Sequence, residues 1–431
     1  MSMGTGSAGT GREAAVDAAD STVTRTQWRW TVLAGMASFL DAGSIVALGS
    51  GLALFQSSLG LSDGALGVLA AIGPNAIGCA IGAFIGGRLG DRLGRKRIYK
   101  YDLLVYALGV LCVAFSGSAP MLFAGVFVIG LAVGADIPTS LALVGEFSPA
   151  RARGKLLALT HIAWSLGPVV VLLLALALSS LDLLGIRIVF GMLFAVALLT
   201  WALRRGMSES ARWRSASAGP RPRVRALFRG ANLRAFVWTA TIYLFGNLAA
   251  GTAGIFNPYM IKTLHAGGQA ASIGFSIAGY LPGIVAGLLL MRLADRSHRT
   301  RKWMWGLGGL AQVLAYAAFL VFPFTVPVVI ANIVLFGLGG TFAGETLYRI
   351  FSQELFPTML RGTAQGMTFA LGRVCLGVWS LFVPALTSAG IGPVAMLLTL
   401  FLVVSGFVGF AFMPNTTGKP LEQIEEERRM S

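Results

Sequence analysis

The chain has 431 residues, 55% of them hydrophobic and only 12% charged, with a mean hydropathy of +0.75; this excludes a soluble globular protein and implies a polytopic membrane protein. A net charge of +16 would suit nucleic acid, but the basic residues lie in loops between apolar runs, where they report topology and contact with anionic headgroups. The cysteines Cys79, Cys112 and Cys375 all fall in apolar runs and the histidines are scattered, so no disulfide framework, metal site, cofactor or nucleophile–base set of an enzyme is expected.

Residues 1–27 are polar and rich in Gly, Ser and Ala, without the apolar core of a signal peptide, and read as a disordered cytoplasmic tail. Apolar runs long enough to span a bilayer follow at 28–55, 64–87, 99–117, 120–146, 154–180, 186–203, 235–261, 270–291, 303–322, 325–353, 363–386 and 393–413. They predict an all-α protein of twelve transmembrane helices. Lys and Arg collect at Arg88 to Lys100, Arg151 to Lys155, Arg204 to Arg234, Arg292 to Lys302 and Arg361, whereas the loops near 56–63, 117–119, 323–324 and 387–392 carry none. The basic side faces the cytoplasm, so both termini are predicted there. The polar stretch 204–234, with Pro220 and Pro222, reads as a linker between six-helix bundles at 28–203 and 235–413, ahead of a cytoplasmic tail at 414–431.

An internal repeat supports this division. Glu146-x-x-Pro149-x-x-x-Arg153-Gly154 after span 4 matches Glu354-x-x-Pro357-x-x-x-Arg361-Gly362 after span 10. Asp91-Arg92-x-x-Arg95 after span 2 matches Asp295-Arg296-x-x-Arg299 after span 8. The offsets, 208 and 204 residues, nearly agree, as duplicated halves require.

The basic turn Gly87-x-Leu89-x-Asp91-Arg92-x-Gly94-Arg95-Lys96 resembles the signature between helices 2 and 3 of the major facilitator superfamily. Asp41-x-Gly43-x-Ile45, Glu209-Ser210-x-Arg212-Trp213 and Pro414-x-Thr416-x-Gly418-x-x-Leu421-Glu422 are similar to motifs of its sugar-porter branch, nearest to bacterial myo-inositol transporters. The resemblance implies two bundles rocking about a central site and proton-coupled symport of a sugar or polyol. The expected partners are thus a small-molecule substrate, protons and the lipid bilayer of the plasma membrane, with the protein a monomer. Asn247-x-x-x-Gly251 replaces the branch's amide-rich stretch in span 7, and Glu345-x-x-Tyr348-Arg349 replaces its Gly-Pro-x-x-Trp in span 10. His161 and Pro168 stand where the branch carries glutamines, and Val126 where many proton-coupled members carry arginine. Gly134-x-Asp136-x-Pro138 is similar to carriers of phosphate and organic acids, which keeps symport of a small organic or aromatic acid open beside the polyol. A nutrient sensor on the same scaffold is a third reading.

A charge near the bilayer midplane is costly unless paired or hydrated, which makes Asp41, Asp136, Glu345 and Arg373 candidates for function. Asp41 is the candidate proton carrier, with Asp136 and Glu345 as alternatives; a packing role for Asp41 competes. Glu345 and Arg349 are four residues apart and are predicted to share a helix face and pair. Arg373 is expected to neutralise Glu345 or Asp136, or to grip a substrate oxygen. Asp136, two residues before Pro138, is expected at a local break in span 4. His161, Trp164, Asn247, Asn257, Tyr259 and Tyr348, with Arg349 and Arg373, are the candidate substrate contacts, supplying amides, donors and aromatic faces. The resemblance implies that Asp91, Arg92, Arg95, Glu146, Arg153, Glu354 and Arg361 lock the outward-open state through salt bridges between helix ends.

Overall fold

The structure, a computed structural model, describes residues 22–263, 269–323, 325–388 and 390–430, with side chains described except at 63, 254–263, 269–273, 275, 384–385, 387–388 and 429–430. The first bundle comprises α1 (Arg25–Leu59), α2 (Asp63–Ile72), α3 (Ile77–Leu93), α4 (Arg95–Ala114), α5 (Ala119–Phe147), α6 (Arg153–Ala177) and α7 (Asp182–Arg204). A short helix α8 (Ala211–Ser217) and a 3₁₀ turn at Val224–Phe228 follow. The second bundle comprises α9 (Gly230–Thr263), α10 (Gln269–Leu293), α11 (His298–Val321), α12 (Val326–Phe342), α13 (Glu345–Glu354), α14 (Thr358–Ser388) and α15 (Ile391–Ala411), and α16 (Leu421–Met430) closes the chain.

Among the described residues, ten helical stretches are long and apolar enough to cross a membrane. The helix α4 falls outside that set because its first two turns carry Arg95, Lys96, Arg97, Lys100 and Asp102. Large apolar side chains such as Leu108, Leu199, Leu307, Leu381 and Phe407 stand exposed around the bundles, the surface a bilayer covers.

Two spans expected as continuous helices are broken. Gly73-Pro74-Asn75 divides span 2 between α2 and α3, since proline lacks a donor and Gly73 is extended. Span 10 divides at Ala343-Gly344, and Glu345 becomes the first residue of α13, where the helix dipole favours a carboxylate. Conversely, α5 runs unbroken through Pro138, so the break expected in span 4 is absent.

The halves meet where α3 packs on α14 and α6 on α10. The first seam needs glycine: a Cβ on Gly87 would collide with the Gly362 carbonyl, and one on Gly366 with the Ala83 carbonyl. The two backbones are therefore in direct contact along that seam.

Candidate functional site

A cavity of about 240 Å³ lies between the bundles. Helices α6, α9, α10, α11 and α12 and the start of α13 wall it. Gly246, Gly279, Gly283, Gly337, Gly340 and Gly344 all face it, so its space comes largely from missing side chains. The predicted contacts His161, Trp164 and Asn247 line it together with Glu345. His161 stacks on Trp164 with ring centroids 5.7 Å apart, and Tyr280 of the other bundle meets the indole edge-on at 6.4 Å. Asn247 donates to the Gly372 carbonyl at 3.4 Å. Asn257 and Tyr259 lie outside the residues whose side chains are described.

Glu345 and Arg349 pair as their spacing predicts: Glu345 Oε1 accepts from Arg349 Nε at 3.0 Å and from Nη2 at 2.6 Å. The Arg349 Nη1 donates to Ser38 on α1 and Thr160 on α6, each at 3.3 Å, so this cation ties α13 to the first bundle. It does not line the cavity. Among the described lining residues there is one carboxylate, Glu345, and no lysine or arginine.

Asp41 is buried behind the wall: Trp164 Nε1 donates to its Oδ2 at 3.1 Å, while its Oδ1 is buried without a protein partner. The indole therefore separates the acid from the cavity and contacts both.

Three expectations change. Asp136 does not reach the cavity; its Oδ1 accepts from Arg204 Nη1 at 3.1 Å, and the same nitrogen stands 3.5 Å from Asp102. Arg204, which the sequence reading put in the linker, ends α7 and is buried over the Tyr99 ring. A polar residue at a helix end was thus an interior partner. Arg373 forms no ion pair with Glu345 or Asp136; its Nη1 donates to Asn75 Oδ1 at 2.7 Å, at the break between α2 and α3. Tyr348 does not line the cavity; it stacks behind Tyr243 with centroids 4.3 Å apart, and its hydroxyl lies 2.6 Å from Thr368 Oγ1.

The basic face carries two networks. In the first, Glu146 Oε1 accepts from Arg95 Nη2 at 2.9 Å and from Arg361 Nη1 of the second bundle at 3.0 Å. Asp91 pairs with Arg95 at 2.9 Å and accepts from the Gly362 amide at 3.1 Å and the Thr363 amide at 2.6 Å. In the second, Glu354 accepts from Arg301 at 2.8 Å and from Arg153 of the first bundle at 3.3 Å. Asp295 accepts from the Gly154 and Lys155 amides at 3.0 and 2.8 Å. The duplicated motifs thus make reciprocal clasps. The partner of Glu354 is Arg301, not the Arg299 that the motif match implied; the second turn is longer, and Arg299 is exposed. Arg92 is exposed too and joins neither network.

The linker and tail brace these clasps. Glu209 accepts from the Arg95 and Lys96 amides, Ser210 caps α8 through the Trp213 amide, and Trp213 donates to the Asp91 carbonyl. Arg212 donates to the Glu146 carbonyl and, at 2.7 Å, to Glu422; Thr416 donates to Glu354 at 2.6 Å.

The sequence reading missed Tyr243, Tyr280, Gln312 and Asn332 in the cavity wall. A lone amide in an apolar span is a signal that singles out Gln312 and Asn332. The tyrosines carry none, because an aromatic in a span usually packs.

The major facilitator superfamily profile matches residues 33–378. The chain is 38% identical over 412 residues to the minor myo-inositol transporter IolF of Bacillus subtilis, covering 92% of this chain and 93% of that one. It is 24% identical over 371 residues to the glucose transporter GlcP of Staphylococcus epidermidis, covering 78% of this chain and 82% of that one. Among solved structures it is similar to the proton:xylose symporter XylE bound to 6-bromo-6-deoxy-D-glucose, with a TM-score of 0.83, 18% identity and coverage of 93% of this chain and 99% of that one.

Proposed function

Because the chain belongs to the major facilitator superfamily, we propose that it is a proton-coupled symporter of a neutral polyol, myo-inositol foremost. It works by rocking of two bundles about the cavity. The observation that carries the substrate class is the charge of the wall: one carboxylate and no lysine or arginine among the described lining residues. An organic acid would meet Glu345 with no cation to receive it, since Arg349 is engaged by Glu345, Ser38 and Thr160 and Arg373 by Asn75. Hydroxyls suit the wall better, because they donate to the open oxygens of Glu345 and the asparagines and lay C–H faces on Trp164 and Tyr280. The name of the 38% identical relative, a myo-inositol transporter, supports the same class.

Asp41 carries the proton in this reading. It is the buried acid nearest the wall without a cationic partner, and Trp164 links it to the ligand space. The clasps at the basic face hold the outward-open state, with that face and both termini in the cytoplasm and the protein a monomer in the plasma membrane. The test is reconstitution with a binding screen of inositols, pentoses, hexoses and aromatic acids. Saturable binding of a polyol and none of acids is expected; the reverse overturns the reading. In proteoliposomes, Asp41→Asn should keep passive exchange of substrate and lose accumulation driven by a pH gradient. Accumulation by this variant would move the proton to another group.

A further inference from the structure

Of the polar groups of the wall that have no partner among the described residues, which include His161 Nδ1 and the Tyr243 hydroxyl, one is a carboxamide. Gln312, on α11, is 3% exposed, and its carboxamide has no hydrogen-bond partner among the described residues. It reaches the cavity over α12, where Gly339 and Gly340 carry no side chain to stop it; a Cβ on Gly340 would lie 3.5 Å from Gln312 Nε2. Its neighbour in the wall, Asn332 of α12, donates Nδ2 to the Ala315 carbonyl of α11 at 2.8 Å and has no described donor on its own oxygen. Ile333 and Phe336 supply the apolar surface between them.

A packing role predicts something else. Gln353 and Gln365 are also buried; Gln353 Nε2 donates to Gln365 Oε1 at 2.5 Å, which pairs one edge of each and leaves the other edge of each without a partner among the described residues, whereas both edges of Gln312 are open. Burying an amide with no partner is unfavourable, so such a group in a wall is stable only where water or a ligand completes it. The carboxamide presents one donor edge and one acceptor edge side by side. Two hydroxyls on adjacent carbons match that pair: one accepts from Nε2 while the other donates to Oε1. A carboxylate satisfies only the donor edge, and a lone hydroxyl reaches both edges only through two bent hydrogen bonds.

We propose that Gln312 is a specificity-determining residue that reads two adjacent hydroxyls of the polyol from the α11–α12 side of the cavity. This rests on the polyol reading above. The site lies in the second bundle, across the cavity from Asp41 and Trp164, so it sets which polyol binds and not how the proton couples.

The test is calorimetric titration of the purified full chain with myo-inositol and its monodeoxy analogues, for the wild type and for Gln312→Met. Methionine keeps the length and apolar stem and removes both edges. Myo-inositol affinity should fall roughly 10- to 100-fold, the loss expected when a buried hydrogen-bonded pair is removed. At least one monodeoxy analogue should bind the wild type more weakly than myo-inositol by a similar factor, and Gln312→Met should no longer tell that analogue from myo-inositol. An unchanged melting temperature checks that the variant is folded; should it not fold, Gln312→Asn, which withdraws the amide by one methylene, is titrated the same way. Polyol binding with an unaltered ranking of the analogues in the folded variant overturns this inference alone. Absence of polyol binding by the wild type overturns the function and this inference together.

Discussion

The basic face and the central cavity solve opposite problems with similar residues. At the basic face, Glu146 and Glu354 each sit between two guanidiniums, and Asp91 and Asp295 each cap two backbone amides of the other bundle. In the cavity, Gln312 has no partner among the described residues and Glu345 uses one oxygen toward them, while glycines keep side chains out of the space. Buried charges that are paired across a seam stabilise one arrangement of that seam. Buried polar groups that are left open stabilise nothing until a ligand arrives. On the proposed function the first region is the latch and the second the receptor.

The sharpest break of this contrast is Glu354→Gln. It leaves Arg301 and Arg153 buried without their shared carboxylate, and about 3–5 kcal/mol of stability of the closed basic face should be lost. A lower melting temperature, and loss of a cysteine cross-link placed across the α6–α10 seam, would show it. Next is Gly279→Leu. A Cβ there meets only Ile333 at an ordinary 3.7 Å, so the helix accepts it, and the longer side chain fills the cavity. Polyol affinity should fall by about 100-fold, roughly 2.7 kcal/mol, with melting little changed; equal losses of binding and stability would mean that the cavity is packing space. The smallest effect is expected for Arg299→Gln, within about 0.5 kcal/mol for an exposed side chain, whereas Arg301→Gln should approach Glu354→Gln. Equal effects at the two arginines would restore the pairing that the repeat implied.

Much of the latch was legible in the sequence. Asp91, Arg95, Glu146, Arg153, Glu354 and Arg361 stand in duplicated motifs at the ends of apolar runs, and all six join the clasps. Motif spacing along one turn carries that information because the two halves repeat it. Less of the cavity was legible. His161, Trp164, Asn247 and Glu345 were singled out by polarity inside spans, but the same criterion admitted Asp136, Arg373 and Tyr348, which have protein partners outside the cavity. Polarity marks a residue that needs a partner; it does not say whether that partner is a ligand or another helix.

The sequence by itself determined the all-α class with its many apolar spans, the span ends at which the basic residues gather and the pairing of Glu345 with Arg349. Each of these follows from period, composition or a four-residue spacing, which act along the chain. Only the tertiary structure decided that spans 2 and 10 break, that Arg301 replaces Arg299, that Arg204 closes on Asp136, and that Gln312 faces open space. These depend on which helix lies opposite, and helices brought together from far apart in the chain, as in the Ser38–Arg349 contact with its separation of 311, carry no local trace of one another.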